Sequence, residues 1–146
     1  MADQTKQGIC VARHLDHVAI AVSDIHATLK LYGDLFGVDG ALVEDVPDQG
    51  VKAVLLKVGR TQLEFIQPTD SNGGVARFIE RRGEGLHHIC FEVDGLQQKL
   101  DALDSEGVAL IDKAPREGLA GMIAFIHPRS TGGVLVELVD SDTTGR

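Results

Sequence analysis

The segment LDHVAIAVSDIHATL (residues 15–29) decides the fold of this chain, because it returns as LHHICFEVDGLQQKL (residues 86–100). Leucine aligns with leucine at the start and at the end of both copies, and His17 aligns with His88. Each copy opens with β-branched and apolar residues typical of a strand, then continues with apolar residues at helical spacing. A repeat of this kind predicts two equivalent modules, each beginning with a strand and a helix.

The residues that follow each copy predict the rest of each module. Asp24 and Asp94 are predicted helix N-caps, and Gly37 and Gly107 are predicted helix ends. Turn residues, glycine prominent among them, separate apolar runs that are typical of strands. These predicted strands cover residues 51–58 and 62–66 in the first half and residues 122–126 and 133–139 in the second.

Both halves therefore read βαβββ, and we predict an α+β fold of two tandem modules in a single domain. The stretch between the halves is rich in Gly, Asp and Asn at its start and contains a short predicted helix around residues 75–82. The predicted bounds are 15–140 for the domain, 15–68 and 86–140 for the modules, 69–85 for the linker, and 1–14 and 141–146 for the tails.

Composition restricts the class of protein. With 146 residues, 43% of them hydrophobic, the chain has enough apolar material for one core, and its two cysteines form no disulfide framework. The net charge of −8 comes without a dense cluster of Lys or Arg, so we expect no nucleic-acid partner. No apolar run approaches the roughly 20 residues of a membrane span, and residues 1–13 lack a targeting pattern. We expect a cytoplasmic protein without membrane association.

Each module carries one histidine and one glutamate at matching positions. Side chains alternate along a strand, so His17 and His88 lie opposite the apolar faces on which the helices must pack. Glu64 within QLEFI and Glu137 within GVLVELV interrupt apolar strands, where a carboxylate needs a partner. Any one of these residues taken alone is more typical of a structural histidine or an edge carboxylate. Their duplication favours a metal site with all four as ligands.

Two imidazoles and two carboxylates suit a borderline divalent cation. We predict one such ion, and the donor types leave Co²⁺, Mn²⁺, Ni²⁺, Fe²⁺ and Zn²⁺ open. Four protein ligands leave two octahedral positions for two oxygens of a substrate. A cation chelated in this way acts as a Lewis acid and stabilises an enolate formed next to a carbonyl.

Longer motifs connect the chain with a known family. The stretches GVxxVLLxxGxxxLEFIQP (50–68), GLHHICFEVD (85–94) and HPRSTGGVLVEL (127–138) resemble the methylmalonyl-CoA epimerases of the vicinal-oxygen-chelate, or glyoxalase, superfamily. The resemblance implies a cupped sheet around one metal, usually in a homodimer, with an acyl-CoA substrate. The implied reaction interconverts (2R)- and (2S)-methylmalonyl-CoA in propionate metabolism. The implied metal ligands agree with those already chosen: His17, Glu64, His88 and Glu137.

The catalytic base follows less directly from the resemblance. Some family members carry an additional glutamate after Gln-Gly-Val, whereas this chain has Lys52 and Ala53 there. We therefore predict Glu137 as the base and Glu64 as its counterpart, because a metal-bound carboxylate can exchange a proton with a chelated substrate. In the alternative, both glutamates act only as ligands, and a water molecule or another side chain moves the proton.

The segment 127–133 resembles the family's loop near the acyl-CoA entrance, although it also fits an ordinary turn between strands. Charged and hydroxyl side chains and glycine amides in this loop are predicted to meet carboxylate or thioester oxygens: Arg129, Ser130, Gly132 and Gly133. Four basic residues are predicted to contact CoA phosphates: Lys52, Arg77, Arg81 and Arg82. Such residues are equally typical of a solvent-exposed surface without a ligand.

Two other functions remain open at this point. A glyoxalase-type lyase or isomerase acting on a thiol adduct needs the same metal and the same proton chemistry. A metal-free binding protein of the same fold needs a cavity but no ligand set. Retention of all four metal-type residues argues against the second alternative, whereas only the choice of substrate separates the first from an epimerase.

Overall fold

The computed structural model describes residues 7–145. Of the predicted tails, residues 1–6 and 146 lie outside this part of the chain. Contacts divide the chain into two compact units. The first unit is His17–His87, and the second combines the described residues up to Asp16 with the described residues from His88 onward. The predicted linker 69–85 lies inside the first unit, and the described N-terminal segment belongs to the second, so the predicted module bounds stay a prediction.

The first unit contains two helices. Helix α1 (Ile25–Phe36) begins after Asp24, whose carboxylate accepts a hydrogen bond from the Ala27 amide, and ends at Gly37 in the left-handed conformation with φ 68°. Both predicted boundaries of this helix are confirmed. Helix α2 (Gly74–Arg82) lies in the predicted linker, where a short helix was expected.

Four strands belong to the sheet of the first unit: β1 (His14–Ala21), β2 (Glu44–Val46), β3 (Val51–Val58) and β4 (Thr61–Pro68). Their order is β2-β3-β4-β1, with β1 parallel to β4 and the other pairs antiparallel. Strand β2 is only three residues long and carries two acidic residues, so it has no apolar pattern by which the sequence could locate it. With this strand the predicted βαβββ order of the module is complete.

The second unit repeats this arrangement with strand β5 (Gly85–Val93), helix α3 (Leu96–Ser105) and strands β6 (Arg116–Gly118), β7 (Gly121–Ile126) and β8 (Val136–Asp140). The strand order is β5-β8-β7-β6, again with one parallel pair, β5 with β8. The predicted strand at 133–139 begins later than expected, because the residues before it form a turn.

One predicted helix cap is wrong. Helix α3 begins after Gly95, with φ 60°, and not after Asp94. The Asp94 carboxylate instead forms an ion pair with Arg13 at 2.7 Å and accepts a hydrogen bond from the Ser141 hydroxyl. The Leu96 amide in the first turn donates to the carboxylate of Asp140, 3.3 Å away. The carboxylate of Asp140, which is distant in sequence, therefore accepts the hydrogen bond from the first turn of α3 that Asp94 was expected to accept.

Each helix packs on one face of the sheet in its own unit. Under α1, Ile25 packs with Val22 and Phe65, and Ile20 joins this cluster. The corresponding cluster of the second unit lies under α3 and holds Val93, Leu96, Leu100, Leu103, Ala124, Ile126, Val136 and Leu138, with Ile89 and Phe91 packed against it. These contacts confirm the predicted apolar faces. They leave the opposite face of each sheet for the predicted ligands.

Among residues 7–145, no helix is both long enough and apolar enough to cross a membrane.

Candidate metal centre

In the first unit, the predicted ligands His17 and Glu64 lie next to each other. Strand β1 pairs with β4 so that Ala19, two residues after His17 and on the same face, is opposite Glu64. The Nε2 atom of His17 is 3.6 Å from a carboxylate oxygen of Glu64. Both side chains are buried, with His17 0% and Glu64 6% exposed. This buried His–Glu pair therefore lies on the side of the first unit's sheet that helix α1 does not cover.

In the second unit, His88 and Glu137 stand in the same relationship. Here Cys90, two residues after His88, is opposite Glu137 in the parallel pairing of β5 with β8. The Nε2 atom of His88 is 3.8 Å from a carboxylate oxygen of Glu137, and both residues are buried. The duplication read from the sequence is therefore present in the strand register as well as in the residue types.

The two pairs pass a simple test of fit to a metal. A divalent cation is held about 2.0–2.2 Å from imidazole nitrogen and carboxylate oxygen, so two of its ligand atoms lie no more than about 4.4 Å apart. The separations of 3.6 and 3.8 Å meet this condition. Nitrogen and oxygen donors together suit borderline divalent ions. The buried His17, His88 and Glu137 are thus consistent in type and burial with divalent metal binding, and they do not distinguish one such metal from another.

An aromatic ring borders the second pair. The ring of Phe125 on β7 meets the His88 imidazole edge to face, with centroids 5.2 Å apart and planes at 89°. Phe125 is directly opposite Glu137 in the antiparallel pairing of β7 with β8, so both side chains lie on one face. The ring excludes water from one side of His88 and restricts its orientation.

The predicted substrate-binding loop is a structured turn. Residues Pro128–Ser130 form a short 3-10 helix, and Arg129 is exposed. The Ser130 hydroxyl accepts a hydrogen bond from the Ala109 amide, and the Gly133 amide donates to the carbonyl of Pro128. Gly132 has φ 68°, a left-handed conformation that other residues rarely adopt. The loop therefore has internal bonds of its own, as an ordinary turn does.

The remaining predicted contact residues lie in the first unit. Lys52 is half-buried on β3, in register with Asp45 on β2 and Gln67 on β4. The basic residues of helix α2 are Arg77, Arg81 and Arg82, and the guanidinium of Arg82 lies over the Phe78 ring at 5.6 Å. This contact shows that at least one of them packs against its own helix.

The other histidines occupy different environments from the predicted ligands. His87 meets the Phe78 ring with centroids 4.9 Å apart, a packing contact with helix α2. His26 is exposed on helix α1. His14 is also exposed, but its Nδ1 lies 2.8 Å from the buried carboxylate of Glu92. The sequence alone did not indicate this contact.

Comparison with known proteins places the chain in a family. A model described as Glyoxalase/Bleomycin resistance protein/Dioxygenase superfamily matches residues 16–125. The chain belongs to this superfamily. The predicted fold class is confirmed by this match and by the two βαβββ units.

Individual members of the superfamily are similar over most of the chain. The Bacillus subtilis protein YqjC, described as uncharacterized, is 42% identical over 127 residues, which cover 86% of this chain and 91% of YqjC. The ethylmalonyl-CoA/methylmalonyl-CoA epimerase of Cereibacter sphaeroides is 34% identical, with 85% and 95% covered. A solved structure of a Streptomyces coelicolor methylmalonyl-CoA epimerase variant with 2-nitronate-propionyl-CoA is 28% identical, has a TM-score of 0.86, and matches 93% of this chain and 100% of its own.

Proposed function

We propose that this superfamily member is a metal-dependent epimerase that interconverts (2R)- and (2S)-methylmalonyl-CoA through an enolate. The observation that carries the proposal is the duplicated, buried His–Glu pair at equivalent register positions of the two units. Relatives named as epimerases of methylmalonyl-CoA, at 34% and 35% identity, support the choice of reaction. An enzyme of this class needs a ligand set for a Lewis acid, and the chain has residues of the right types.

The two pairs are proposed to hold one divalent cation together, with Co²⁺ as the first choice and Mn²⁺, Ni²⁺ or Zn²⁺ as alternatives. His17 and His88 would contribute nitrogen donors, and Glu64 and Glu137 would contribute oxygen donors. When bound, such a cation supplies Lewis-acid stabilisation of the negative charge that develops on the substrate oxygens. This stabilisation is needed because the C–H to be broken lies next to a thioester and also next to a carboxylate that is already negative.

Proton movement is assigned to the glutamates. The Glu137 carboxylate takes the proton from C2 of one epimer, and Glu64 delivers a proton from the opposite side to complete the inversion. Burial of both side chains removes competing water and strengthens their interaction with the developing charge. In the alternative assignment, both glutamates are only ligands and a water molecule moves the proton.

Substrate contacts are assigned to the residues predicted from the loop and from β3. Arg129 and Lys52 are proposed to offer positive charge to an anionic acyl-CoA in a chain whose net charge is −8, although Lys52 shares the strand face of Val54, which packs under helix α1. Ser130, Gly132 and Gly133 are proposed to line the approach of the acyl group, although the Ser130 hydroxyl and the Gly133 amide already have partners within the chain. We also propose that the protein is a cytoplasmic homodimer.

Isotope exchange tests the proposal. The Co²⁺-loaded protein is incubated with (2R)-methylmalonyl-CoA in D₂O, and the expected result is one deuterium at C2 together with formation of the (2S) epimer. The same preparation is offered the hemithioacetal of methylglyoxal and glutathione. Action on the thiol adduct without exchange into methylmalonyl-CoA would overturn the proposal in favour of a glyoxalase. Absence of exchange and of bound metal after repletion would favour a metal-free binding protein.

A further inference from the structure

A positively charged side chain lies on the same sheet face as the second ligand pair. In the antiparallel pairings of the second unit, Arg116 on β6 is opposite Ile123 on β7, and Phe125 on β7 is opposite Glu137 on β8. Directly opposed residues point to the same face, and so do residues two apart in a strand. Arg116, Phe125 and Glu137 therefore share one face. Arg116 is the only Lys or Arg on a strand in the described part of this unit.

The guanidinium of Arg116 is held in place by two contacts. Its central carbon lies 5.5 Å from the centroid of the Phe125 ring, and that ring in turn meets His88. Its Nε lies 3.1 Å from one carboxylate oxygen of Asp112. The other oxygen of Asp112 accepts a hydrogen bond from the Phe125 amide at 2.9 Å, which fixes the carboxylate. The cation is thus positioned before any ligand arrives.

This arrangement leaves part of the guanidinium available. The ion pair with Asp112 is made through Nε, so it does not require the outer edge of the group, which carries two NH₂ donors. The Arg116 side chain is 32% exposed, so solvent reaches part of it, whereas the Nε atom is buried and its contact with Asp112 is an ion pair without a hydrogen bond. A planar guanidinium edge matches a carboxylate with two parallel hydrogen bonds.

We propose that Arg116 recognises the free carboxylate of the substrate and thereby selects acyl-CoA thioesters that carry a carboxylate at C2. The inference rests on the proposed function, because it takes the substrate to be a malonyl-type thioester. The face next to His88 and Glu137 already contains one carboxylate of the protein, and the chain is acidic overall. The negatively charged carboxylate of an incoming malonyl-type acyl group is attracted by a fixed cation on this face in addition to the proposed metal, and Arg116 provides that cation.

Equilibrium binding tests this role without requiring turnover. Dissociation constants of the Co²⁺-loaded full chain are measured by calorimetry for methylmalonyl-CoA and for propionyl-CoA, which lacks the carboxylate. Arg116→Gln should weaken methylmalonyl-CoA binding by about 10- to 100-fold, the range for a lost charge-assisted contact, and leave propionyl-CoA binding and Co²⁺ affinity unchanged. Arg116→Lys keeps the charge without the planar edge and should give an intermediate loss.

A matched control and the contrary outcomes complete the test. Lys113→Gln removes a cation three residues away whose side chain is 74% exposed, and it should leave both constants unchanged. The inference would be overturned if Arg116→Gln weakened the binding of methylmalonyl-CoA and propionyl-CoA equally, lowered Co²⁺ affinity, or had no effect. If the glutamine variant does not fold, the same comparison is made with Arg116→Lys. The wild type can fail to exchange the C2 hydrogen while Arg116→Gln still weakens only methylmalonyl-CoA binding. In that case the proposed function fails and the role of Arg116 stands.

Discussion

The Nε2 atom of His88 lies 3.8 Å from a carboxylate oxygen of Glu137, and both side chains are buried on the sheet face opposite helix α3. The equivalent atoms of His17 and Glu64 are 3.6 Å apart in the other unit. In both cases the histidine is two residues before the register partner of the glutamate. Two neighbouring strands that carry a histidine and a glutamate at this offset bring a nitrogen and an oxygen atom together without a loop, and side chains on strands are held more precisely than side chains on loops.

Replacement of His88 by alanine is expected to abolish epimerisation while the protein still folds. The substitution removes one nitrogen donor, so Co²⁺ affinity should fall by more than the roughly 10- to 100-fold that loss of an outer-shell partner costs. Titration with Co²⁺ and circular dichroism measure the two effects. The neighbouring substitution His87→Ala serves as the control, because His87 packs against Phe78 and should keep both activity and metal. An unfolded His88→Ala protein would indicate a core histidine instead.

The assignment of Glu137 as base predicts a separation of metal binding from proton exchange. Glu137→Gln keeps an oxygen donor, so Co²⁺ should remain bound, but the amide cannot accept the C2 proton. Deuterium exchange should fall by about 10²- to 10⁴-fold, the usual contribution of a general base. Glu117→Gln on the exposed part of β6 is the control. Unchanged exchange in Glu137→Gln would leave Glu137 as a ligand only and move the proton transfer to water or another group.

The N-cap of helix α1 predicts a measurable loss of stability. Asp24→Ala removes the carboxylate that accepts from the Ala27 amide, and the free energy of unfolding should fall by about 0.5–2 kcal/mol. Urea unfolding measures this change. Asp24→Asn retains an acceptor and should lose much less. Equal losses in the two variants would mean that the charge of Asp24, and not its hydrogen bond, stabilises the helix.

The core under helix α3 predicts a larger effect. Leu100 is fully buried in that cluster, so Leu100→Ala should lower the free energy of unfolding by about 2–5 kcal/mol through lost burial and a cavity. Leu35→Ala on helix α1 is the matched control, because Leu35 is 63% exposed and its truncation should change stability by no more than about 0.5 kcal/mol. A small effect at Leu100 would contradict the packing described for this unit.

Asp94 predicts a pH dependence of stability. The hydrogen bond from Ser141, followed by the contact with Arg13, holds the pKa of Asp94 below its ordinary value of 3.8. Because the unfolded chain binds the proton more tightly, this stabilisation is complete above that value and is lost as the pH falls through the lower pKa of the folded state. The urea midpoint of Asp94→Asn should therefore lie slightly below that of the wild type at pH 7. In strong acid the two urea midpoints should become equal. A difference between the midpoints that does not change with pH would contradict the proposed effect of Asp94 ionisation on stability.

The repeated βαβββ order and the proximity of the two His–Glu pairs could be predicted from the sequence because both depend on simple periodicities. Alternation along a strand places His17 and His88 opposite the apolar face, and duplication shows which of several histidines matter. The second of the four strands in each module was not located, since β2 and β6 are three residues long and carry charged residues. Arg116 was missed for the same reason: it lies on β6, and its neighbours Asp112 and Phe125 come together only through the register of β6 with β7.

The wrong cap at Asp94 has a related cause. Its local pattern matches that of Asp24, but Arg13 and Ser141 are both far from it in sequence and compete for its carboxylate. Asp140, which receives the Leu96 amide, is equally distant. Local propensity therefore located helix α3 correctly and chose the wrong residue to begin it.

Metal stoichiometry is the most direct test of the shared centre. The full chain is loaded with Co²⁺, freed of excess metal, and analysed for cobalt per protein molecule, alongside His17→Ala and His88→Ala. We predict one tightly bound ion in the wild type and loss of that ion in either variant, because both pairs are proposed to hold the same cation. Two ions per chain, or an ion that survives removal of one histidine and is lost with the other, would contradict the account.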